Sequence, residues 1–102
     1  MKDMTKNNIT ELSEYIFGLN QKYNLFVPTD LKEKTDMLAR LMRVNMELSE
    51  AAEAAYNTDY QNFSEEIADV LILLLDICGA CKIDIEKEIV TKLNKIFPEE
   101  RK

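Results

Sequence analysis

Residues 65–79 read EEIADVLILLLDICG and place apolar side chains on almost every face of one helix. Ile67, Val70, Leu71, Leu74 and Cys78 form one stripe at helical spacing. Ala68, Ile72 and Leu75 form a second stripe on the other side. A helix that is apolar nearly all round must be buried nearly all round. With 102 residues the chain fits one domain, residues 1–102, with a modest core. Three other helices of this length can hardly enclose such a segment. The second stripe is therefore expected to be a subunit interface, and the chain is expected to oligomerise. The same stretch raises an electrostatic problem. Glu65, Glu66 and Asp69 head the run and Asp76 sits inside it. A buried carboxylate costs several kcal/mol unless something pairs with it.

Two Gly and two Pro are the only strong breakers in the chain, which favours long helices and an all-α fold. Helix 1 is expected from about Thr5 to Tyr23, with Ile9, Leu12, Ile16 and Leu19 at the helix period and Gly18 weakening it slightly. Pro28 disfavours helix at Val27, and Thr29 or Asp30 can cap the next helix. Helix 2 is expected from about Leu31 to Tyr56. Its stripe reads Leu38, Leu41, Asn45, Leu48, Ala52 and Ala55, with Asn45 as a candidate buried hydrogen-bonding group or ligand contact. NTDYQN, residues 57–62, breaks the pattern. Asn62 and Glu65 resemble a capping box, so helix 3 is expected from Phe63 to Cys78, with Gly79 at its C-terminal end. Asp84 can cap helix 4, which carries Ile85, Ile89, Leu93 and Ile96. Phe97–Pro98 ends it and EERK is a solvated tail. The expected fold is four-helix bundle-like.

The net charge of -6 repels a nucleic-acid backbone, so no nucleic-acid partner is expected. The first fifteen residues hold no apolar signal-peptide core, and the apolar run from Val70 to Leu75 is too short to span a bilayer. The expected compartment is the cytoplasm, with no membrane partner. The chain has no histidine, which removes the commonest general base and metal ligand. Cys78 and Cys81 form CGAC, but a redox CxxC should follow a strand and open a helix, whereas this one closes an apolar helical run. A zinc site would need two more ligands, from a second subunit. Two reduced, partly buried thiols are the expectation.

Helix 2 carries Glu47 and Glu50, three apart, and helix 3 carries Glu66 and Asp69, also three apart. Each pair spans about 60° of helix surface, so its members are neighbours. Asp76, seven beyond Asp69, returns to nearly the same face. Glu47 and Glu50 border the Leu48/Ala52 stripe without joining it. A short connection makes helices 2 and 3 antiparallel neighbours, and both pairs can point into one groove. Four converging carboxylates repel unless protonated or neutralised. Hard oxygen ligands suit Mg²⁺ or Mn²⁺, and a divalent cation is the expected partner of these acids. A solvated acidic face gives the same spacing, so pattern alone leaves both readings open.

MELSEAAEA, residues 46–54, followed by EEIADVLILLLDICG, resembles the MazG-like all-α nucleoside triphosphate pyrophosphohydrolases. That family shows ExxE on one helix and ExxD on the next, the latter leading an apolar helix. The resemblance covers roughly residues 36–97. It implies a helical bundle that forms homodimers or homotetramers. It also implies Mg²⁺-dependent cleavage of a nucleoside triphosphate between the α and β phosphates, giving monophosphate and pyrophosphate. By position, Glu47, Glu50, Glu66 and Asp69 match the metal-binding acids. Met46 stands where the family often has a second Glu, and the family's Lys, Asn, Arg series near the end of the last helix is only partly matched. Lys92 fits, Ile96 replaces the expected Asn with Asn94 two residues earlier, and Arg101 lies late. Lys92, Asn94 and Lys95 are candidate triphosphate contacts, and a solvated helix face fits Lys92 and Lys95 equally.

The chemistry can run without histidine. A carboxylate not fully used by metal can accept a proton from the attacking water, and Glu47 and Glu50 are both candidates. Tyr15 or Phe17 can contact a base or belong to the core. The competing readings are a noncatalytic helical interaction module on the same fold and a phosphoribosyl-ATP pyrophosphohydrolase-like enzyme.

Overall fold

The computed structural model describes residues 8–25 and 34–100. Four α-helices follow one another: α1 (Ile9–Tyr23), α2 (Lys34–Tyr56), α3 (Tyr60–Ala80) and α4 (Ile85–Ile96), with a 3₁₀ turn over Pro98–Glu100. No strand occurs among the described residues, so the all-α expectation holds. No helix among them is long and apolar enough to cross a membrane.

The helix ends are set by local hydrogen bonds, and they shift the expected boundaries. Asn8, in extended backbone, accepts from the Glu11 N–H at 2.8 Å, so α1 starts at Ile9 rather than near Thr5. The expected caps Thr29 and Asp30 lie outside the described residues. α2 ends in a Schellman turn. Thr58 adopts a left-handed φ of 53°, and the Asp59 N–H returns to the Ala54 carbonyl at 3.0 Å. The Asp59 carboxylate then accepts from the Asn62 N–H at 3.2 Å and caps α3. α3 therefore begins a turn earlier than expected, and Asn62 is helical rather than a cap. α3 also runs past Gly79 to Ala80. Its left-handed closing residue is Lys82 at φ 57°, and the Ile83 N–H donates to the Cys78 carbonyl at 2.9 Å. Asp84 caps α4 as expected, accepting from the Lys87 N–H at 3.2 Å.

Gly79 has a different job from the expected cap. A Cβ built there would lie 2.5 Å from the Ser13 carbonyl oxygen and 2.6 Å from Phe17 Cβ. At this glycine the α1 backbone lies directly against α3. Ser13, fully buried, fits the same contact because its small hydroxyl turns back onto the Thr10 carbonyl at 2.7 Å.

α1 and α2 both pack along α3, while α4 packs on α1. Thr10 joins the last two, donating to Asp84 at 2.8 Å and accepting from the Glu86 N–H at 2.9 Å. The four helices thus do not share one core. The α2–α3 core consists of Val44, Val70, Leu73 and Ile77, with Met37 against it. α4 buries none of its residues.

The expected α2 stripe faces the wrong way, and the first α3 stripe is half right, with Val70 and Cys78 buried and Ile67 half-buried. On α2, Leu38, Leu41 and Leu48 are exposed, as are Asn45, Ala52 and Ala55. The inward residues are Met37, Arg40, Val44, Glu47, Ala51 and Ala54. On α3, Leu71 and Leu74 are exposed, and Leu73, which belonged to neither expected stripe, is core. The reason lies in Asp76. It is 1% exposed and pairs with Arg40, itself 2% exposed, while Asn20 from α1 donates to both carboxylate oxygens at 3.2 and 3.4 Å. Burial pushes the Asp76 carboxyl up, and the Arg40 guanidinium and Asn20 amide oppose that shift. Asp76 is therefore partnered within the chain, not by the expected cation.

Three stability outcomes are expected in urea titrations. Gly79→Ala should cost about 1–3 kcal/mol, since backbone atoms cannot yield to the new methyl. Thr58→Gly should gain about 1 kcal/mol by relieving a β-branched residue at positive φ. Asp76→Asn should cost about 3–5 kcal/mol by stranding the buried Arg40 charge. Equal midpoints for Gly79→Ala and parent would remove the close approach of α1 and α3.

Candidate metal centre

α2 and α3 run antiparallel, so rising numbers on one face falling numbers on the other. Arg40 meets Asp76, and seven residues on, Glu47 meets Asp69. Glu50 and Glu66 follow. Glu47, Glu66 and Asp69 each offer a carboxylate oxygen, and these three atoms lie within 4.8 Å of one another. Glu47 and Glu66 are half-buried and Asp69 is exposed. Glu50 is exposed and stands beside Glu66, outside this three-oxygen set.

The acids lie between two small open cavities. One, of about 210 Å³, is lined by Glu50, Glu53, Asn57, Asp59, Asn62 and Glu66, with Ala54. The other, of about 200 Å³, is lined by Arg43, Glu47, Asp69, Ile72 and Leu73.

Like charges in partial burial raise one another's pKa. Burial, then Glu50, then Glu47 and Asp69 push the Glu66 carboxyl up to about 7. Burial, with Glu50 and Asp69 next, also raises Glu47, against a hydrogen bond from Glu66. Glu66 Oε2 is closed off from solvent and receives no hydrogen bond among the described residues. An oxygen-only set with an unsatisfied buried oxygen fits a hard divalent cation.

The other sequence candidates lie elsewhere. Lys92, Asn94 and Lys95 are on α4, and none lines either acidic cavity. Asn94 lines an apolar hollow with Val90, Leu93 and Phe97. Tyr15 faces an apolar groove between α1 and α3, and Phe17 lines a separate cavity beside Gly79. Cys78 is buried and Cys81 exposed, both as free thiols, and burial, then Cys81, pushes the Cys78 thiol up. Arg43, which shares a cavity with Glu47 and Asp69, was not singled out from the sequence. Its spacing four residues before Glu47 was the available signal.

The chain matches no protein-family profile, no curated protein and no solved structure. The MazG-like resemblance therefore stands on the two acidic motifs, their order and the apolar helix that follows.

The raised Glu66 pKa has a sign that can be tested. Its folded value exceeds the unfolded one, so its stabilising contribution is present in acid and is lost as pH rises through about 7. In EDTA the melting temperature should fall between pH 5 and pH 7.5. Glu66→Gln should flatten that fall, and an unchanged slope would show that Glu66 ionises freely.

Proposed function

We propose that this protein is a Mg²⁺-dependent nucleoside triphosphate pyrophosphohydrolase, releasing pyrophosphate and a (d)NMP, and working as a homo-oligomer in the cytoplasm. The observation that carries this reading is the convergence of Glu47, Glu66 and Asp69 from two antiparallel helices. These three would hold the cation, and Mn²⁺ suits the same ligands. Bound there, Mg²⁺ would lower the pKa of a coordinated water and screen the triphosphate charge. The cation also reconciles a chain of charge -6 with a polyanionic substrate. Glu50 lies next to the ligand set without belonging to it. Its carboxylate suits the general base that takes the water's proton, while Glu47 is held among the ligands.

One observation favours a noncatalytic helical interaction module. The α4 residues Lys92, Asn94 and Lys95 do not reach the acids within the chain, and large apolar faces stand open.

The two readings separate in one set of measurements. Mg²⁺ at about 100 times its Kd should stabilise the parent by about 2.7 kcal/mol, a rise in Tm on the order of 10 °C. Glu66→Gln should lose both that rise and pyrophosphate release across a panel of NTPs and dNTPs. Glu50→Gln should keep most of the rise and lose at least 100-fold in kcat. An inert module gives no pyrophosphate with any nucleotide, whatever Mg²⁺ does to the melting curve.

A further inference from the structure

We propose that Arg43 receives the β and γ phosphates of the substrate, the part that leaves as pyrophosphate. The proposal rests on the metal-centre reading above, because it sets the guanidinium beside the cation that Glu47, Glu66 and Asp69 would hold.

Charge creates the need. Three ionised ligands against one divalent cation leave the loaded set one charge negative. The Glu50 carboxylate beside Glu66 adds to that excess. A phosphate tail brought to such a set is repelled as well as ligated, so a further positive charge has to face it.

Position decides which residue supplies that charge. Among the described residues, Arg43 is the one basic side chain that lines either acidic cavity. It stands four residues before Glu47, one turn away on nearly the same face of α2. Asp69 lines the same cavity from α3, so the guanidinium and two of the metal ligands open onto one space of about 200 Å³. Ile72 and Leu73 give that space apolar walls, which lower the local dielectric and strengthen a charge contact. Arg43 is exposed, so a ligand arriving from solvent can meet it. Its planar fork of donors matches phosphate oxygens two at a time. The other cations stand elsewhere. Arg40 is buried against Asp76, Lys82 lines the cavity beside Gly79, and Lys92 and Lys95 line neither acidic cavity.

The cavity on the far side of the acids points the same way. Glu50, Glu53, Asp59 and Glu66 line it with Asn57 and Asn62, and no basic residue does. Its carboxylates repel a phosphate tail and turn it to the Arg43 side. In the reaction, the water oxygen bonds to the α phosphorus and its proton goes to Glu50. The electron pair of the broken bond stays on the bridging oxygen of pyrophosphate. Arg43 faces the charge that grows there.

Calorimetric titration tests the assignment, first with Mg²⁺ alone and then with inorganic pyrophosphate in excess Mg²⁺. The parent, Arg43→Gln and Arg43→Lys are compared, with circular dichroism as the check on folding. Arg43→Gln should weaken pyrophosphate binding roughly tenfold or more. It should bind Mg²⁺ alone at least as tightly as the parent, because a positive charge has left the neighbourhood of the acids. Arg43→Lys keeps the charge and loses the fork, so its pyrophosphate affinity should fall between the other two. Undiminished pyrophosphate binding by folded Arg43→Gln would overturn the proposal and leave the metal reading standing. Weaker binding of Mg²⁺ alone by that variant would also overturn it, since Arg43 would then serve only to hold the acids in place. A parent that binds no Mg²⁺ removes the metal reading and the proposal with it.

Discussion

One carboxylate organises three helices. Asp76 of α3 is met by Arg40 from α2 and by Asn20 from α1, all three almost fully buried. An ionised aspartate in that position is intolerable alone, so any packing that withdraws Arg40 is excluded. This constraint decides which face of α2 turns inward. The leucine face of α2 is the more hydrophobic one, yet it stays outside, because turning it in would carry Arg40 out and leave Asp76 unpaired. A buried ion pair of this kind adds little net stability, but it selects one arrangement among several that bury similar apolar area.

The pair also fixes a register. From Arg40 to Glu47 is seven residues, and from Asp76 back to Asp69 is seven. Seven helical residues advance about 10.5 Å along either axis. In antiparallel helices, pinning the first pair therefore levels the second. The charged cluster at one end of the α2–α3 contact is thus set by the neutralised pair at the other. The two sites answer the same problem differently. Asp76 is balanced by a guanidinium that is always present, so its end is permanent. Glu47, Glu66 and Asp69 crowd one another, with Arg43 sharing the cavity of Glu47 and Asp69, and the crowding shows as a raised Glu66 pKa.

The sequence made helix content, chain order and the acidic pairs legible, because these depend on spacing within one or two helices. ExxE and ExxD marked Glu47, Glu50, Glu66 and Asp69, of which Glu47, Glu66 and Asp69 bring oxygens together. Which faces meet was not legible. Leu38, Leu41 and Leu48 form a sound apolar period, but α2 has two usable faces, and the choice depends on Asp76, thirty-six residues from Arg40. Gly79 looked like a helix stop because glycine is common there. Its role as a contact point depends on Ser13, which no local pattern connects to it. Asp59 was missed as the α3 cap because Asn62 offers an equally good local signal. The places of Lys92, Asn94 and Lys95 failed to follow from spacing because they depend on where α4 docks, and α4 docks on α1.

The small residues of MELSEAAEA complete the account of the acids. Ala51 and Ala54 are buried at 2% and 3% exposure, on the same side of α2 as Glu47. Side chains this short let two helix backbones approach at the near end of the usual 8–10 Å range. A close approach favours the meeting of carboxylates from both helices, whose oxygens lie within 4.8 Å of each other. A leucine at either buried position would overpack the α2–α3 contact and strain it. The buried alanines permit the packing that gathers Glu47, Glu66 and Asp69, and the repulsion of those acids acts against it. That opposition is the physical reason a cation between the helices would strengthen the fold as well as supply chemistry.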